Sequence, residues 1–349
     1  MRIQKEDLFQ CSVELLVALG EAPEGATIVA DSFCSADAKG ITTHGTYLLT
    51  PIIKRVKSGQ LSLPTTAKIV IDNVAVAVVD GGDGLGPIAG KYAADLAIER
   101  AKTYGISMVL IRNTNSLGSL AYYTERVAKE GMVALMSCNA APAMAPFGGA
   151  EPFTGTNPIA YAIYTGSDLP FSADMATSIV ARGKIRQAAR RGESIPGSWA
   201  LDEYGNLTTD PVAALQGTLL PMAGPKGSAI ALLVDILSGI IAGAEHAPNV
   251  RSYHTTDGKT GVGASLIAID IQKFIDLGEF KSTMDQYIEN LKGMKKASFA
   301  NDIFLPGEIE YNHQQESLRI GINLDDSAVD TLNSLLEHFA CNQRLKAIR

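Results

Sequence analysis

The pattern of apolar and polar positions predicts helices for the first sixty residues. Apolar side chains recur at helical spacing over residues 4–19, a proline at 23 suits the start of a second helix to about 37, and Thr43 can cap a third helix to about 58. Two short runs rich in Val and Ile follow at 68–72 and 74–80, with an Asp-Asn pair between them. These runs predict a β-hairpin.

Helical and strand-like patterns then alternate to about residue 175. The predicted helices cover 87–104 and 117–130, and the predicted strands cover 106–111, 132–137 and 158–163. Alternation at this spacing favours an α/β layer in which some strands are buried on both faces.

The rest of the chain is mainly helical. We predict a loop or small hairpin at 196–221 and a strand at 264–271. The predicted helices cover 177–191, 226–244, 274–294 and 327–339. Since no repeat or linker divides the chain, two domains would be interleaved: a mostly helical domain of 1–70 plus about 275–349, and an α/β domain of about 71–274.

Composition and charge argue against several classes of partner. The 349 residues carry a formal net charge of −7, so the chain lacks the basic field of a nucleic-acid-binding protein. The most apolar run, residues 227–244, is short for a membrane span and contains Asp235, so it predicts a buried core helix. The four cysteines and five histidines match no disulfide or metal spacing. We therefore expect a cytoplasmic protein that binds a small molecule and no metal.

Glycine-rich segments at 81–86, 148–149 and 224–227 invite comparison with phosphate-binding loops. None has the Gly-x-Gly-x-x-Gly pattern between a strand and a helix, and none is a Walker loop, which argues against a standard Rossmann or P-loop site. The third segment is the best candidate, because Lys226 lies at the start of a long predicted helix and adds a cation to free backbone amides.

A cluster of cations interrupts this otherwise acidic chain. Five basic residues fall within ten positions: Arg182, Lys184, Arg186, Arg190 and Arg191. Such a run is typical of a solvated helix face. It could also clamp a phosphate, since an arginine fork can hold two oxygens at once. The run alone leaves both interpretations open.

His44 is the candidate residue for proton transfer. It follows Thr43 and precedes Gly45 near a predicted helix start, and imidazole has the unperturbed pKa that suits proton exchange near neutrality. Asp174 closes a hydrophobic strand and could orient the imidazole as a carboxylate partner. This pairing is a hypothesis.

Short motifs spread over most of the chain carry a family resemblance. They are Ala-Asp-Ala-Lys-Gly-Ile at 36–41, Thr-His-Gly at 43–45, Arg55, Gly59, Pro-Phe-Gly-Gly at 146–149, Gly-Thr-Asn-Pro at 155–158, Asp-Met-Ala-Thr at 174–177, Gly-Lys at 183–184, Ile-Pro at 195–196 and Gly-Pro-Lys-Gly at 224–227. In this number and order they resemble the type 2 malate/L-lactate dehydrogenase family.

The resemblance implies an α/β, non-Rossmann mixed-sheet fold, a homodimer, and NADH or NADPH as hydride donor to a 2-oxo acid or ring imine. The α/β domain would bind the nucleotide, His44 would donate the proton and Asp174 would orient it. The residues implied to line the cofactor are Asp174, Met175, Ala176, Lys226, Gly227, Pro306, Gly307 and Glu308. The cations Arg182, Lys184 and Arg186 resemble those of members that use NADPH and suit an added 2′-phosphate, so NADP(H) is favoured over NAD(H).

Substrate-facing positions depart from the family. Leu48 replaces an arginine that can grip a carboxylate, Ile52 replaces a tyrosine, and Ser116 replaces a second histidine. Losing a bidentate guanidinium removes a contact worth roughly 1.5 to 3 kcal/mol. Either another cation such as Arg55 or Lys54 grips the acid, or the substrate is less anionic. The residues expected at the substrate are Thr43, Leu48, Ser116 and Arg55.

Two functions are compatible with these observations. The leading hypothesis is an NADPH-preferring reductase, or the reverse dehydrogenase, that acts on a small 2-oxo acid, 2-hydroxy acid or cyclic imine. The rival is a dinucleotide-binding protein that has lost this redox chemistry and become a lyase, an isomerase or a regulatory binder. The rival is motivated by four departures around the expected site, at Leu48, Ile52, Ser116 and Ala140.

Overall fold

The computed structural model describes residues 1–169 and 171–348. The α-helices are α1 (Lys5–Ala18), α2 (Pro23–Ala38), α3 (Leu49–Lys57), α4 (Gly86–Tyr104), α5 (Ala121–Ala128), α6 (Arg182–Arg191), α7 (Pro211–Gln216), α8 (Pro225–Asp235), α9 (Leu277–Lys292), α10 (Glu308–Ile320) and α11 (Asp326–His338). The strands are β1 (Arg2–Ile3), β2 (Lys68–Asn73), β3 (Val76–Asp80), β4 (Ile106–Thr114), β5 (Met132–Cys138), β6 (Ile159–Ile163), β7 (Phe171–Met175), β8 (Ala200–Leu201), β9 (Thr218–Leu219), β10 (Val262–Asp270) and β11 (Ile322–Asn323).

A seven-stranded mixed sheet lies at the centre of the fold. Its strand order is β2-β3-β4-β10-β5-β6-β7, with one parallel pair, β3 and β4, and antiparallel pairing elsewhere. This arrangement confirms the mixed-sheet α/β prediction. Val109 and Ile111 face the apolar cluster that includes α4, whereas Leu110 packs with Ala242 on the opposite face. The middle of the sheet is therefore buried on both faces, as its nearly unbroken apolar strands indicated.

The two ends of the chain share a second core. Strand β1 pairs with β11, and apolar side chains of α1, α2 and α3 pack with those of α11. The pairing places residues 2–3 beside residues 322–323. The proposed division into two interleaved domains remains a prediction.

The long apolar run forms α8 and continues as a π-helical segment, Ile236–Ile241. Asp235 is buried and accepts a hydrogen bond from the backbone of Ala247. The prediction of a buried core helix holds for one face only, because Leu233, Ile236 and Ile240 are exposed. None of the helices in the described part of the chain has the length and apolar character needed to cross a membrane.

Several predicted helix starts differ from the observed ones. The helix predicted from Thr43 is replaced by two 3-10 turns, Thr42–His44 and Thr46–Leu48, before α3 begins. The helix predicted over 117–130 begins only at Ala121. The helix predicted over 177–191 begins at Arg182, since residues 177–179 form backbone hydrogen bonds with residues 220–222. Helix α10 was not predicted.

The buried carboxylate of Asp37 holds the turn that carries His44. Its Oδ2 accepts hydrogen bonds from the backbone N of Thr46 at 2.9 Å and from its Oγ1 at 2.7 Å. A Cβ at position 45 would collide with the same carboxylate, so Gly45 is required for this close approach. The other oxygen, Oδ1, is buried without a hydrogen-bond partner, and burial raises the pKa of Asp37 to about 6.

Replacing Asp37 by Asn should change how stability depends on pH. Because the pKa of Asp37 is raised from 3.8 to about 6 on folding, the wild-type protein loses stability as pH rises through this window. Asp37→Asn keeps an acceptor for Thr46 and cannot ionise. We expect its unfolding free energy to rise by about 1 to 3 kcal/mol relative to wild type between about pH 4 and pH 7, measured by urea unfolding.

Asp330→Asn, at an exposed position on α11, is the matched control and should give no such pH-dependent difference. If the difference in unfolding free energy between wild type and Asp37→Asn does not change with pH, ionisation of the buried Asp37 does not destabilise the protein, and the prediction is wrong.

Candidate active site

His44 ends the first of the two 3-10 turns and is open to solvent. Its Nδ1 lies 3.1 Å from the hydroxyl of the neighbouring Thr43. The surrounding protein desolvates the ring and lowers the pKa of His44 below 6.5, and the negative charge of Asp174 opposes this shift only in part. The imidazole is therefore neutral at pH 7 and able to accept a proton.

Asp174 lies near the end of β7, and its contacts differ from the expected ones. Its Oδ2 accepts hydrogen bonds from the Ser119 hydroxyl at 2.8 Å and from the backbone N of Ala121 at 3.1 Å. Among the hydrogen bonds of the described residues, none joins Asp174 to His44. The Oδ2 of Asp174 is engaged at the start of α5, and a role for Asp174 in orienting the imidazole remains a prediction.

The loop between β4 and α5 connects the parts of the site. Gly118 has φ of 71° and passes the His44 carbonyl, since a Cβ there would lie 3.6 Å from that oxygen. Asn115 anchors the loop by donating to the carbonyls of Asp83 and Gly84. Sequence reasoning missed the positioning roles of Asn115 and Ser119, although it selected Ser116 in the same loop.

A small, largely apolar cavity lies beside this loop. Leu48 and Ile52 line it from one side, Ser116 from the loop, and Tyr253 from a distant segment; Arg55 also reaches its wall. Three of the four residues expected at the substrate, Leu48, Ser116 and Arg55, therefore meet at one cavity. The fourth, Thr43, lies at the side of His44.

The structure gives Arg55 a role other than gripping a carboxylate. The side chain is 1% exposed, and its Nε donates to the Oδ1 of Asn115 at 3.2 Å. Its two terminal nitrogens donate to the carbonyls of Ser252, Thr255, Gln60 and Gly258. All five N–H groups have protein acceptors, so Arg55 has no free donor for a substrate, and the contacts correct this part of the prediction.

The cationic helix α6 begins against the His44 turn. A Cβ at Gly183 would lie 3.8 Å from the side chain of Thr43. Arg182 donates to the Leu215 carbonyl at 2.6 Å, whereas Lys184 and Arg186 are exposed. The pKa of Arg182 is lowered by burial and by the charge of Arg186.

An aromatic pair also flanks the His44 turn. The rings of Tyr253 and His254 lie 4.0 Å apart, and Tyr47 meets His254 edge-on at 6.3 Å. Burial, followed by the charges of Arg186 and Lys54, lowers the pKa of His254. Lys54 and Arg186 therefore place positive charge beside His254. Sequence analysis did not select His254, because a lone histidine outside a motif carries no signal.

Residues 176–181 lead from the end of β7 to the start of α6. Lys226 lies near the β7 end of this segment. Ser178 and Pro221 form an antiparallel bridge, so residues just before 178 lie beside residues just after 221. Lys226 is therefore on the side of Met175 and Ala176, and the start of α6 is on the other. Lys226 is exposed, whereas Gly227 is buried where a Cβ would collide with the Met222 carbonyl.

The turn Pro306-Gly307-Glu308 packs against β7. The Pro306 carbonyl accepts from the backbone N of Ser172 at 3.1 Å, and a Cβ at Gly307 would lie 2.6 Å from the Ser172 hydroxyl. The Glu308 carboxylate accepts from Lys292 at 2.7 Å and from the backbone N of Leu305 at 2.8 Å. These contacts bring the turn next to the strand of Asp174.

The starts of α6 and α8 fit a ligand that carries phosphate groups. Neither helix has a side-chain cap or an acidic residue in its first turn, so the first backbone N–H groups are free of competing carboxylates. Lys184, Arg186 and Lys226 add exposed cations at these two places. Helix N-termini with nearby cations are favourable sites for anions. Each of the two helix starts therefore offers donors that suit a phosphate group.

Known proteins are similar to this chain along its whole length. A family model described as malate/L-lactate dehydrogenase matches residues 3–333. The L-sulfolactate dehydrogenase of Methanocaldococcus jannaschii is 37% identical over 342 residues, which cover 98% of each chain. The solved sulfolactate dehydrogenase structure from that organism superposes with a TM-score of 0.92 and covers 98% of both chains.

Other relatives carry different substrates and nucleotides in their names. The malate dehydrogenase of Pyrococcus horikoshii is 36% identical over 96% of this chain and 94% of its own. At 31% identity, an Escherichia coli K12 relative is named ureidoglycolate dehydrogenase (NAD(+)), covering 96% of this chain and 95% of its own. Another, from Chromohalobacter salexigens, is named (2R)-3-sulfolactate dehydrogenase (NADP(+)), covering 93% and 94%. This chain belongs to the malate/L-lactate dehydrogenase family of oxidoreductases.

Proposed function

We propose that the protein transfers a hydride between a nicotinamide dinucleotide and a small 2-oxo or 2-hydroxy acid, or a cyclic imino acid, with His44 as general acid and base. The observation that carries this proposal is the exposed imidazole of His44, which is neutral at pH 7 and lies on a turn that packs against the start of the cationic helix α6. The names of its relatives, which are dehydrogenases of hydroxy acids, support the reaction class.

His44 supplies the proton exchange that this reaction needs. A bound nicotinamide would supply or accept the hydride. In the oxidation direction the neutral imidazole takes the hydroxyl proton of the substrate, and in the reduction direction the protonated ring returns it. The negative charge of Asp174 stabilises the imidazolium formed in the first case. Because the pKa of His44 lies below 6.5, the resting ring is ready for oxidation at neutral pH.

We further propose NADP(H) as the preferred cofactor. Lys184 and Arg186 are exposed at the first turns of α6, where an added 2′-phosphate would find cations and uncapped backbone amides. Arg182 is less available, since it donates to the Leu215 carbonyl. The Asp174 to Ala176 segment and Lys226 would contact other parts of the cofactor.

We also propose a cytoplasmic homodimer. The outer face of α8 and the π-helical segment exposes Leu233, Ile236, Ile240 and Ile241, each at 44% or more. A continuous apolar stripe of this kind is typical of a surface covered by another protein chain. The four cysteines form no disulfide, which suits a reducing compartment.

Replacing His44 by Ala should remove proton transfer while leaving the nucleotide site in place. We expect kcat on a responsive 2-oxo acid to fall about 10²- to 10⁴-fold, with the Kd for NADPH little changed, because positioned acid-base groups contribute this much. Steady-state kinetics and a fluorescence titration measure the two quantities.

The exposed His338 gives a matched control, His338→Gln, which should retain activity. In the wild-type protein, kcat/KM for oxidation should hold as pH falls to 6.5 and decrease only below it, since His44 protonates late. Full turnover by His44→Ala would contradict the assignment.

Replacing Lys184 by Ala should weaken NADPH binding selectively. Loss of one charge-assisted contact to the 2′-phosphate is expected to raise the Kd for NADPH about 10- to 100-fold and to leave the Kd for NADH almost unchanged. Fluorescence titration of both nucleotides measures this difference. Arg191→Ala, at the far end of the same helix, is the control; equal weakening of NADH would argue against the 2′-phosphate role of Lys184.

Replacing Ile240 by Glu should separate the two subunits. A charge in the middle of the apolar stripe loses burial and must be desolvated, so analytical ultracentrifugation should give the mass of one chain. Leu207→Glu introduces the same charge at another exposed apolar position and should leave the dimer intact. A wild-type protein that sediments as a monomer would disprove the dimer.

The second candidate function is a dinucleotide-binding protein that has lost or changed this redox chemistry. One residue at the cavity favours it. Ser116 lines the cavity where the family resemblance led us to expect a histidine, so the site has one fewer titratable group. Tight nucleotide binding with no hydride transfer to any 2-oxo acid or cyclic imine would support a lyase, isomerase or regulatory binder.

A further inference from the structure

We propose that Lys39 is a positioning residue for the reaction, because its buried ion pair with Glu125 sets the placement of His44 against strand β7. This inference rests on the proposed function. Lys39 belongs to the motif at 36–41, and among the described residues its side chain hydrogen-bonds only to Glu125. It therefore acts through other residues and not on the substrate itself.

The ion pair between Lys39 and Glu125 is the most buried one in the described part of the chain. Its two side chains are 7% and 17% exposed, whereas every other pair has a partner that is at least 27% exposed. A buried ion pair adds little net stability, because both charges lose their hydration, and its best-supported role is to fix the register of the elements that it joins. This pair therefore fixes α2 against α5.

Hydrogen bonds connect the backbone of Lys39 closely to that of His44. Lys39 directly follows the last residue of α2. The backbone N of Ile41 donates to the Ala36 carbonyl at 2.9 Å, and the backbone N of His44 donates to the Ile41 carbonyl at 3.0 Å. The carboxylate of Asp37, in the same helix, holds the next turn. His44 is therefore placed wherever the end of α2 is placed.

Helix α5 holds β7 through two contacts. At the start of the helix, the backbone N of Ala121 donates to the Oδ2 of Asp174 at 3.1 Å. One turn later, the Oε1 of Glu125 accepts from the Ser172 hydroxyl at 3.0 Å. Four residues span about 6 Å along a helix and two residues about 6.6 Å along a strand, so the two contacts match in spacing. Helix α5 thus fixes the position of Asp174.

The carboxylate of Glu125 contacts both α2 and β7. Its Oε2 accepts from Lys39 and its Oε1 accepts from Ser172, so a shift of the carboxylate would lengthen one contact or the other. A further contact between α2 and α5 runs from the Tyr122 hydroxyl to Asp31 at 2.8 Å. Asp31 lies two turns earlier in α2, so the ion pair is the contact nearer to the turn that carries the imidazole.

Proton transfer depends on this placement. Burial lowers the pKa of His44, and the negative charge of Asp174 opposes the shift. Because a Coulombic effect weakens with distance, it depends on how close β7 lies to the His44 turn. Misplacement of a catalytic group by about 1 Å can cost roughly 100-fold in rate. The ion pair therefore affects the chemical step without touching the reacting atoms.

Replacing Lys39 by Met tests the proposal. The variant releases the His44 turn from α5 and leaves the contacts of β7 with α5 in place. We expect kcat on a responsive 2-oxo acid to fall about 10- to 100-fold, with the Kd for NADPH changed less than about twofold. Lys39→Arg keeps a cation for the same carboxylate and should retain kcat within about threefold. Steady-state kinetics and fluorescence titration measure these quantities.

Two kinetic outcomes would overturn the proposal. One is a wild-type kcat in Lys39→Met, and the other is a Lys39→Arg variant as impaired as Lys39→Met. The matched control is Lys102→Met, which breaks a pair with Glu130 whose side chains are 52% and 46% exposed and should leave kcat unchanged.

Glu125→Gln decides the question if Lys39→Met does not fold. The amide keeps the shape of the side chain but leaves the buried ammonium of Lys39 without its counter-charge, so kcat should fall at least about fivefold. An unchanged kcat in this variant would also contradict the positioning role.

Hydrogen exchange separates the failure of this proposal from that of the proposed function, since it needs no substrate. In Lys39→Met, the hydrogen-bonded amides of residues 44–48 should exchange at least about tenfold faster than in wild type, whereas those of α8 should not change. If this difference is seen but the wild-type protein reduces no 2-oxo acid or cyclic imine, the link from Lys39 to the His44 turn stands and the redox function fails. If the wild-type protein is active and neither exchange nor kcat changes in Lys39→Met, the redox function stands and the positioning role fails.

Discussion

The buried guanidinium of Arg55 joins the segments from which the site is built. It bonds α3 to the loop at Asn115 and to the carbonyls of Ser252, Thr255 and Gly258, which belong to a distant part of the chain. A buried cation is tolerated only when its donors are satisfied, so these segments must stay in register with one another. The cavity wall and the placement of the Tyr253–His254 pair depend on this arrangement.

Elements with strong local periodicity could be predicted from the sequence. Helices α1, α2 and α4 and strands β4, β5 and β6 lie within a few residues of their predicted bounds, because their apolar spacing agrees with the burial they reach in the fold. The mixed-sheet class was also correct, and so was the family. The strand order was beyond reach, because pairing partners such as β10 and β4 are far apart in the chain.

The site could be predicted in its residue types and only partly in its contacts. Leu48 and Ser116 were selected as substrate positions and meet at one cavity. The turn at His44 could not be foreseen, since it depends on a hydrogen bond from Thr46 to the buried carboxylate of Asp37, which lies nine residues earlier and outside any recognised capping pattern. The same holds for Asp174, whose hydrogen bonds go to Ser119 and Ala121 because a helix start lies beside it. Contacts of this kind override the intrinsic secondary-structure propensity of the residues involved.

The position of β10 between β4 and β5 affects how the molecule can be assembled on the ribosome. Both neighbours are synthesised long before β10, and each presents an unpaired edge until that strand emerges. Non-local pairing of this kind slows folding and leaves strand edges open to wrong partners in the meantime. The sheet can close only after most of the chain has left the ribosome, so a nascent chain that stops before residue 262 keeps two half-sheets in need of chaperone protection.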